Sequence, residues 1–236
     1  MSLSPMQEIF IFLEDEKEVP YYRLERWGRP ARGALAKLKN MGLIEKIEKN
    51  DEVFYTITTE GEYYFDNVLK VLKNKSTWDK KWRLVMFEIP ETNRALRDKL
   101  RRNLCNLGLG ILQAGVWISP QAIDQEVEAL DLKLNLGTQM KYFVVAATPD
   151  LNQQIINKSW NNAEINTELT EFIKEAQTTL KAMGKNNGDK FSAKKLIFSY
   201  ALILKKGPIM PVEFIEQNEI RKNAQEIYVK LRPFVS

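Results

Sequence analysis

Residues 82–120 read WRLVMFEIPETNRALRDKLRRNLCNLGLGILQAGVWISP, and the changes of period along them decide the fold. Trp82, Leu84, Val85, Met86, Phe87 and Ile89 make a buried-strand pattern that Pro90 stops. A helix is expected next: Pro90 suits a first helical position, Glu91 suits the positive end of the helix dipole, and Leu96, Leu100, Leu104 and Leu107 recur at helical spacing. Gly108 and Gly110 end it, and Ile111 to Ile118 returns as a hairpin around Ala114 and Gly115. Past Pro120, Ile123, Val127, Leu130 and Leu134 mark one face of a second helix that Gly137 stops, and Lys141 to Ala147 reads as a closing strand. The order strand, helix, strand, strand, helix, strand is the split βαβ arrangement of ferredoxin-like domains.

Working toward the N-terminus, Met6, Ile9, Phe10 and Leu13 follow Ser4 and Pro5, a cap and a first position. After the acidic EDEKE, a short helix runs from Pro20 through Trp27, Gly28 ends it, and Pro30 starts a third helix to about Met41. Leu43–Lys49 and Val53–Thr58 read as two strands turning at Asn50 and Asp51, and Thr59 with Glu62 has capping-box spacing for a helix to about Lys73. Three helices and a hairpin in this order make a winged helix-turn-helix, whose third helix enters the major groove of DNA. The polar segment 74–77 is placed as the domain boundary. From Thr148 and Pro149 onward the chain turns helical over about 149–158, 163–183, 190–205 and 211–231, with breaks at GKNNGDK and KKGPIMP.

The third helix has two faces. Ala31, Ala34, Leu35, Leu38 and Met41 fall on one, and Arg32, Gly33, Ala36, Lys39 and Asn40 on the other. Cationic and amide side chains separated by small ones let a helix approach a groove closely, Arg and Asn reaching base edges and Lys neutralising phosphate. A solvated helix face is the alternative. Taken with the hairpin, the candidate DNA-binding residues are Arg29, Arg32, Lys37, Lys39, Asn40, Lys46 and Lys49, with Lys46 and Lys49 on the wing.

Composition sets limits. The net charge of +4 is mild, but residues 21–49 carry eight Lys or Arg against three Glu, and 78–108 carry eight against four acids. Two basic islands fit a partner with many phosphates. The chain has no histidine, which removes imidazole bases and the usual zinc ligands, and its single Cys105, beside the leucine stripe, is expected to be a packed thiol. No catalytic residue, metal or cofactor is assigned. The apolar run at Leu196–Leu204 is too short to span a bilayer, so a cytoplasmic location without membrane partners is expected.

The strand ending FEIPE, the arginine-rich helix RALRDKLRR, the LGLG turn and the closing GVWISP resemble the phenylacetate-degradation repressor (PaaX) family of transcriptional regulators over about residues 78–148. In that family this segment is a ferredoxin-like domain similar to the small ferredoxin-fold protein of CRISPR adaptation. The resemblance implies a DNA-binding regulator, a homodimeric repressor released by a small-molecule effector. Family members sense a coenzyme A thioester of phenylacetate through the C-terminal domain, usually with an aspartate-proline-leucine-proline stretch and a tryptophan-glycine step. Here Gly207-Pro208-Ile209-Met210-Pro211 and Asn218-Glu219-Ile220 keep only the proline spacing, and no effector is assigned.

Glu88 falls where the CRISPR proteins carry an acidic residue proposed to hold a metal. It could serve a metal-dependent nuclease, or simply answer Arg83 or Arg94. Arg94, Arg97 and Arg101 form a stripe that is either a second phosphate-contacting surface or a set of salt bridges to the acidic EVEALD segment. Trp82, Trp117 and Phe143 are expected in the core. The expected architecture is therefore α+β in three parts: an N-terminal winged helix over 1–76, a central ferredoxin-like βαββαβ domain over 77–148 and a C-terminal helical domain over 149–236. The expected partner is double-stranded DNA bound by a homodimer. The competing classes are a nuclease using Glu88 and an adaptor for CRISPR integration.

Overall fold

Ser4 starts the first helix. In the computed structural model, which describes residues 3–73, 77–160, 162–184, 189–207, 211–216 and 218–235, its side chain accepts the Gln7 amide. Gln7 Oε1 in turn accepts the Ser4 amide at 2.9 Å, a reciprocal cap for α1 (Pro5–Glu16). After it, ending at the Pro20 where the next helix is expected to begin, comes a strand, β1 (Glu18–Pro20). Three residues are too few to show a period. Their conformation comes from antiparallel pairing with β3 (Glu52–Ile57), which buries Val19. Next come α2 (Tyr21–Leu24), a 3₁₀ turn over Glu25–Trp27, and α3 (Arg29–Asn40) with Pro30 in its first turn. Strand β2 (Ile44–Lys49) turns into β3 through Asn50 and Asp51, both at positive φ as a tight hairpin requires, giving the sheet order β1-β3-β2.

Helix α4 (Thr59–Leu69) is capped by Thr58, not by Thr59 as its spacing to Glu62 implies. Because β3 ends at Ile57, Thr58 is the residue free to turn, and its hydroxyl accepts the Gly61 amide at 3.0 Å while donating to the Gly42 carbonyl at 2.6 Å. Gly61 sits hard against the hairpin: a Cβ there would lie 2.2 Å from the Leu43 carbonyl oxygen and 2.6 Å from Ile57 Cγ1. Gly61→Ala is expected to lower unfolding stability by about 1–3 kcal/mol, read as a lower urea midpoint with unchanged slope.

The chain divides into two compact units, 1–73 with 169–202 and 223–236, and 74–168 with 203–222. The helices expected as a domain of their own over 149–236 are distributed between them. In the first unit the core of Ile9–Leu13, Leu24, Leu35, Leu38 and Phe65 is completed by Phe198 and Ala201 of α9 (Lys190–Lys205). The Phe198 ring stacks on Phe65 at 5.3 Å between centroids.

The second unit holds β4 (Lys81–Phe87), α5 (Arg94–Asn106), β5 (Gly110–Gln113), β6 (Val116–Ser119), α6 (Asp124–Leu134) and β7 (Met140–Ala146), with sheet order β5-β6-β4-β7 and every pairing antiparallel. The order of elements is the expected one, but two boundaries move. Pro90 precedes a 3₁₀ turn over Glu91–Asn93, so α5 starts at Arg94, and α6 is closed by Asn135 in the left-handed conformation ahead of Gly137. Leu100 and Leu104 are fully buried with Val85, Trp117, Val127 and Leu130, whereas Leu96 and Leu107 pack at the margin.

The other sheet face places Trp82 and Ile118 under Ile156 of α7 (Pro149–Ser159), Trp160 just past its end, and Phe214 of α10 (Val212–Glu216). That cover does not extend along β7. Phe143, expected in the core with Trp82 and Trp117, is 44% exposed, as are Val144 and Val145 to a similar degree, because β7 is an edge strand. Cys105 is likewise exposed rather than packed; α5 turns it outward, one turn from Arg101.

Helices α8 (Asn162–Met183) and α11 (Glu219–Leu231) complete the chain. The single helix expected over 211–231 is two, because Asn218 Oδ1 accepts the Arg221 amide at 3.1 Å and starts α11 afresh. The boundary segment at 74–76, the break at 185–188 and the proline-flanked 208–210 lie outside the described residues. No helix among the described residues is long and apolar enough to cross a membrane.

Candidate nucleic-acid interface

Helix α3 buries Ala31, Ala34, Leu35 and Leu38 and turns the rest outward. At 100° per residue Arg29, Gly33, Ala36 and Asn40 fall on one line, with Arg32 and Lys39 to one side and Lys37 to the other. All seven are exposed. Among the described residues, Arg29, Lys37, Lys39 and Asn40 have no hydrogen-bond or ion-pair partner, so their charge and amide are free for an outside group. Arg32 has one hydrogen bond among the described residues: its Nε donates to the Tyr21 hydroxyl at 3.1 Å, which raises the guanidinium pKa further and leaves its terminal nitrogens unbonded. Met41, placed by spacing on the inner face, is 46% exposed because the helix ends at Asn40.

Tyr21 was not legible as a functional residue. The only sequence signal was the Tyr21-Tyr22 pair ahead of a basic helix. The Tyr21 ring is tilted against Tyr55, with centroids 6.3 Å apart, which fixes the hydroxyl that orients Arg32, and Tyr22 beside it is 67% exposed.

On the hairpin the two lysines are engaged. Lys46 pairs with Glu48, whose carboxyl it holds below the usual carboxylate range, and Lys49 Nζ lies 2.6 Å from Glu18 Oε2 on β1. Both pairs are exposed, where ion pairs exchange readily with solvent or a competing anion.

Gly33 has no packing reason to be glycine: a Cβ there meets nothing within 4 Å. In mid-helix glycine is about 1 kcal/mol less favourable than alanine, and the surrounding protein offers nothing in return.

In the second unit Glu88 answers neither Arg83 nor Arg94. Arg83 is buried in a bidentate pair with Asp79 at 2.7 and 2.6 Å, and Arg94 reaches Asp98 at 3.7 Å. The Asp79 carboxyl is held low by that guanidinium. Nor does the arginine stripe bridge to the EVEALD segment, since Arg97 binds Glu91 through both terminal nitrogens, at 2.5 and 3.1 Å. Glu88 instead shares a cleft of about 330 Å³ with Arg97 and Arg101. No group of three or more potential metal-ligating side chains occurs among the described residues. Two guanidiniums beside one carboxylate make a poor cation site.

Comparison with known proteins bears on this second unit. Residues 75–156 match the family model described as the PaaX protein central Cas2-like domain. Among solved structures, an uncharacterized protein from Mycobacterium tuberculosis, Rv0674, is similar in fold with a TM-score of 0.59 at 14% identity, over 89% of this chain and 84% of that one. No curated protein matches the chain. Through residues 75–156 this chain is similar to the central, Cas2-like domain of the PaaX family.

Proposed function

We propose that the protein is a DNA-binding transcriptional regulator of the PaaX type, acting in the cytoplasm as a homodimeric repressor. Residues 1–76 form a winged helix-turn-helix, with α3 as recognition helix and the β2–β3 hairpin as wing; α9 completes its core. The observation that carries this is the outward face of α3, where Arg29, Lys37, Lys39 and Asn40 stand unpartnered among the described residues and Tyr21 orients Arg32. Arg29, Arg32 and Asn40 then contact base edges, and the lysines neutralise phosphates. The ferredoxin-like domain over 77–148 pairs two copies. The apolar edge strand at Phe143–Val145 supports this, because an uncovered edge of that kind is a template for a second chain. A two-fold dimer presents two α3 helices to half-sites about one helical turn, or a multiple, apart.

Selection from a random duplex pool by the purified full chain tests the proposal. The expected result is enrichment of inverted repeats with that spacing; a pool that stays random after several rounds contradicts it.

Gly33 gives a sharper test of the same face. Gly33→Ala is expected to raise stability by up to about 1 kcal/mol and at the same time weaken binding to the selected duplex several-fold, because the added methyl stands where the groove wall comes. A thermal melt and a fluorescence-anisotropy titration on one preparation check both signs.

A further inference from the structure

The cleft in the second unit lies between the end of β4, helix α5 and the β5–β6 hairpin, and is lined by Phe87, Glu88, Arg97, Arg101, Ile111 and Trp117 among others. Its volume of about 330 Å³ is at the lower end of the roughly 300–1,000 Å³ of small-molecule sites. Its wall is apolar. Trp117 is buried behind it, and Ile111 is 41% exposed.

The charges decide what fits. Arg97 is neutralised by Glu91 through two hydrogen bonds. That leaves one carboxylate, Glu88, and one guanidinium, Arg101, facing the same small volume, and neither has a hydrogen-bond or ion-pair partner among the described residues. They do not pair with each other. A divalent cation would meet the Arg101 guanidinium, a phosphate dianion would meet Glu88, and a purely apolar guest would strip water from both charges without replacing it. A guest carrying one positive and one negative group on an apolar body matches Glu88, Arg101 and the apolar remainder of the wall.

We propose that this cleft binds a free α-amino acid with an apolar side chain, its carboxylate on Arg101, its ammonium on Glu88 and its side chain against Ile111 and Trp117. The proposal stands on the cleft alone and holds whether or not the first unit binds DNA.

Isothermal calorimetry on the full chain without DNA tests it, using L-leucine and L-phenylalanine. Each is compared with its des-amino acid, isocaproate or hydrocinnamate, and with its decarboxylated amine, isoamylamine or phenethylamine. At least one amino acid is expected to bind at millimolar concentration or below. Its two truncated analogues are expected to bind at least about tenfold more weakly, each having lost a charge-assisted contact. Arg101→Ala is expected to remove amino-acid binding, and Glu88→Gln to lower it to the level of the des-amino acid. Both side chains are exposed, so circular dichroism of both variants is expected to match that of the unsubstituted protein. Absence of heat from both amino acids up to tens of millimolar, des-amino acids that bind as tightly as their parents, or a folded Arg101→Ala that binds like the unsubstituted protein would each overturn the proposal.

Discussion

Phe198→Ala, in the last fifth of the chain, is expected to unfold most of the stability of the unit that carries α3. Phe198 is 1% exposed, stacks on Phe65 and belongs to one core with Ile9, Leu13, Leu35 and Leu38. Removing a buried phenyl ring costs about 3–5 kcal/mol, against a total of about 5–15 kcal/mol for a typical domain. Trp27 packs on this core beside Phe12, with ring centroids 5.5 Å apart, and reports the transition through its own resonance in 19F NMR of 5-fluorotryptophan-labelled protein. The expected result is a large drop in the urea midpoint seen by Trp27. A chain ending at residue 76 is expected to fail in the same way, since it lacks Phe198 and Ala201 altogether. An unchanged midpoint for Phe198→Ala would show that residues 1–73 hold together without α9.

The other large effect is expected from Arg29→Ala combined with Arg32→Ala. Both side chains are exposed at the start of α3, so the double substitution leaves the core of Ala31, Ala34, Leu35 and Leu38 intact. Each guanidinium that contacts a base edge discriminates by about ten- to a hundredfold, and two lost together should bring affinity for the selected duplex down to that for an unrelated one. Tyr21→Phe, which removes only the hydroxyl that accepts from Arg32 Nε, should give a smaller loss of the same kind. The measurement is a competition titration of selected against scrambled duplex. A variant that keeps its preference would place recognition elsewhere on the molecule.

The elements that carry long periodic patterns were legible in the sequence. The leucines of α5, the hairpin at Asn50 and Asp51, and the order of the central strands and helices all follow from spacing and turn chemistry that act locally. What escaped depends on pairing between distant segments. Strand β1 exists only because β3 lies beside it, Phe143 is exposed only because β7 is at an edge, and Phe198 reads as an ordinary helical apolar residue until Phe65 is placed against it. Charge pairing failed for a different reason, since the partners found are only four and six residues away and the local backbone path chose between them. Arg83 could have met Glu88 or Asp79, and the bend before β4 put Asp79 within 2.7 Å.

The candidate site divides along the same line. Arg29, Arg32, Lys37, Lys39 and Asn40 share a helix, so their common face was computable from 100° per residue. Tyr21, which lies on α2, and the partners of Lys46 and Lys49 were not.

The central claim is that α3 offers its charge to the phosphates of duplex DNA. Affinity for the selected duplex, measured across salt for the unsubstituted protein and for Lys37→Ala with Lys39→Ala, tests it most directly. The unsubstituted protein should weaken linearly on a log–log plot, and the double variant should show a slope smaller by about two, one for each lost phosphate contact. An identical slope for the two proteins, or affinity indifferent to salt in the unsubstituted one, would contradict it.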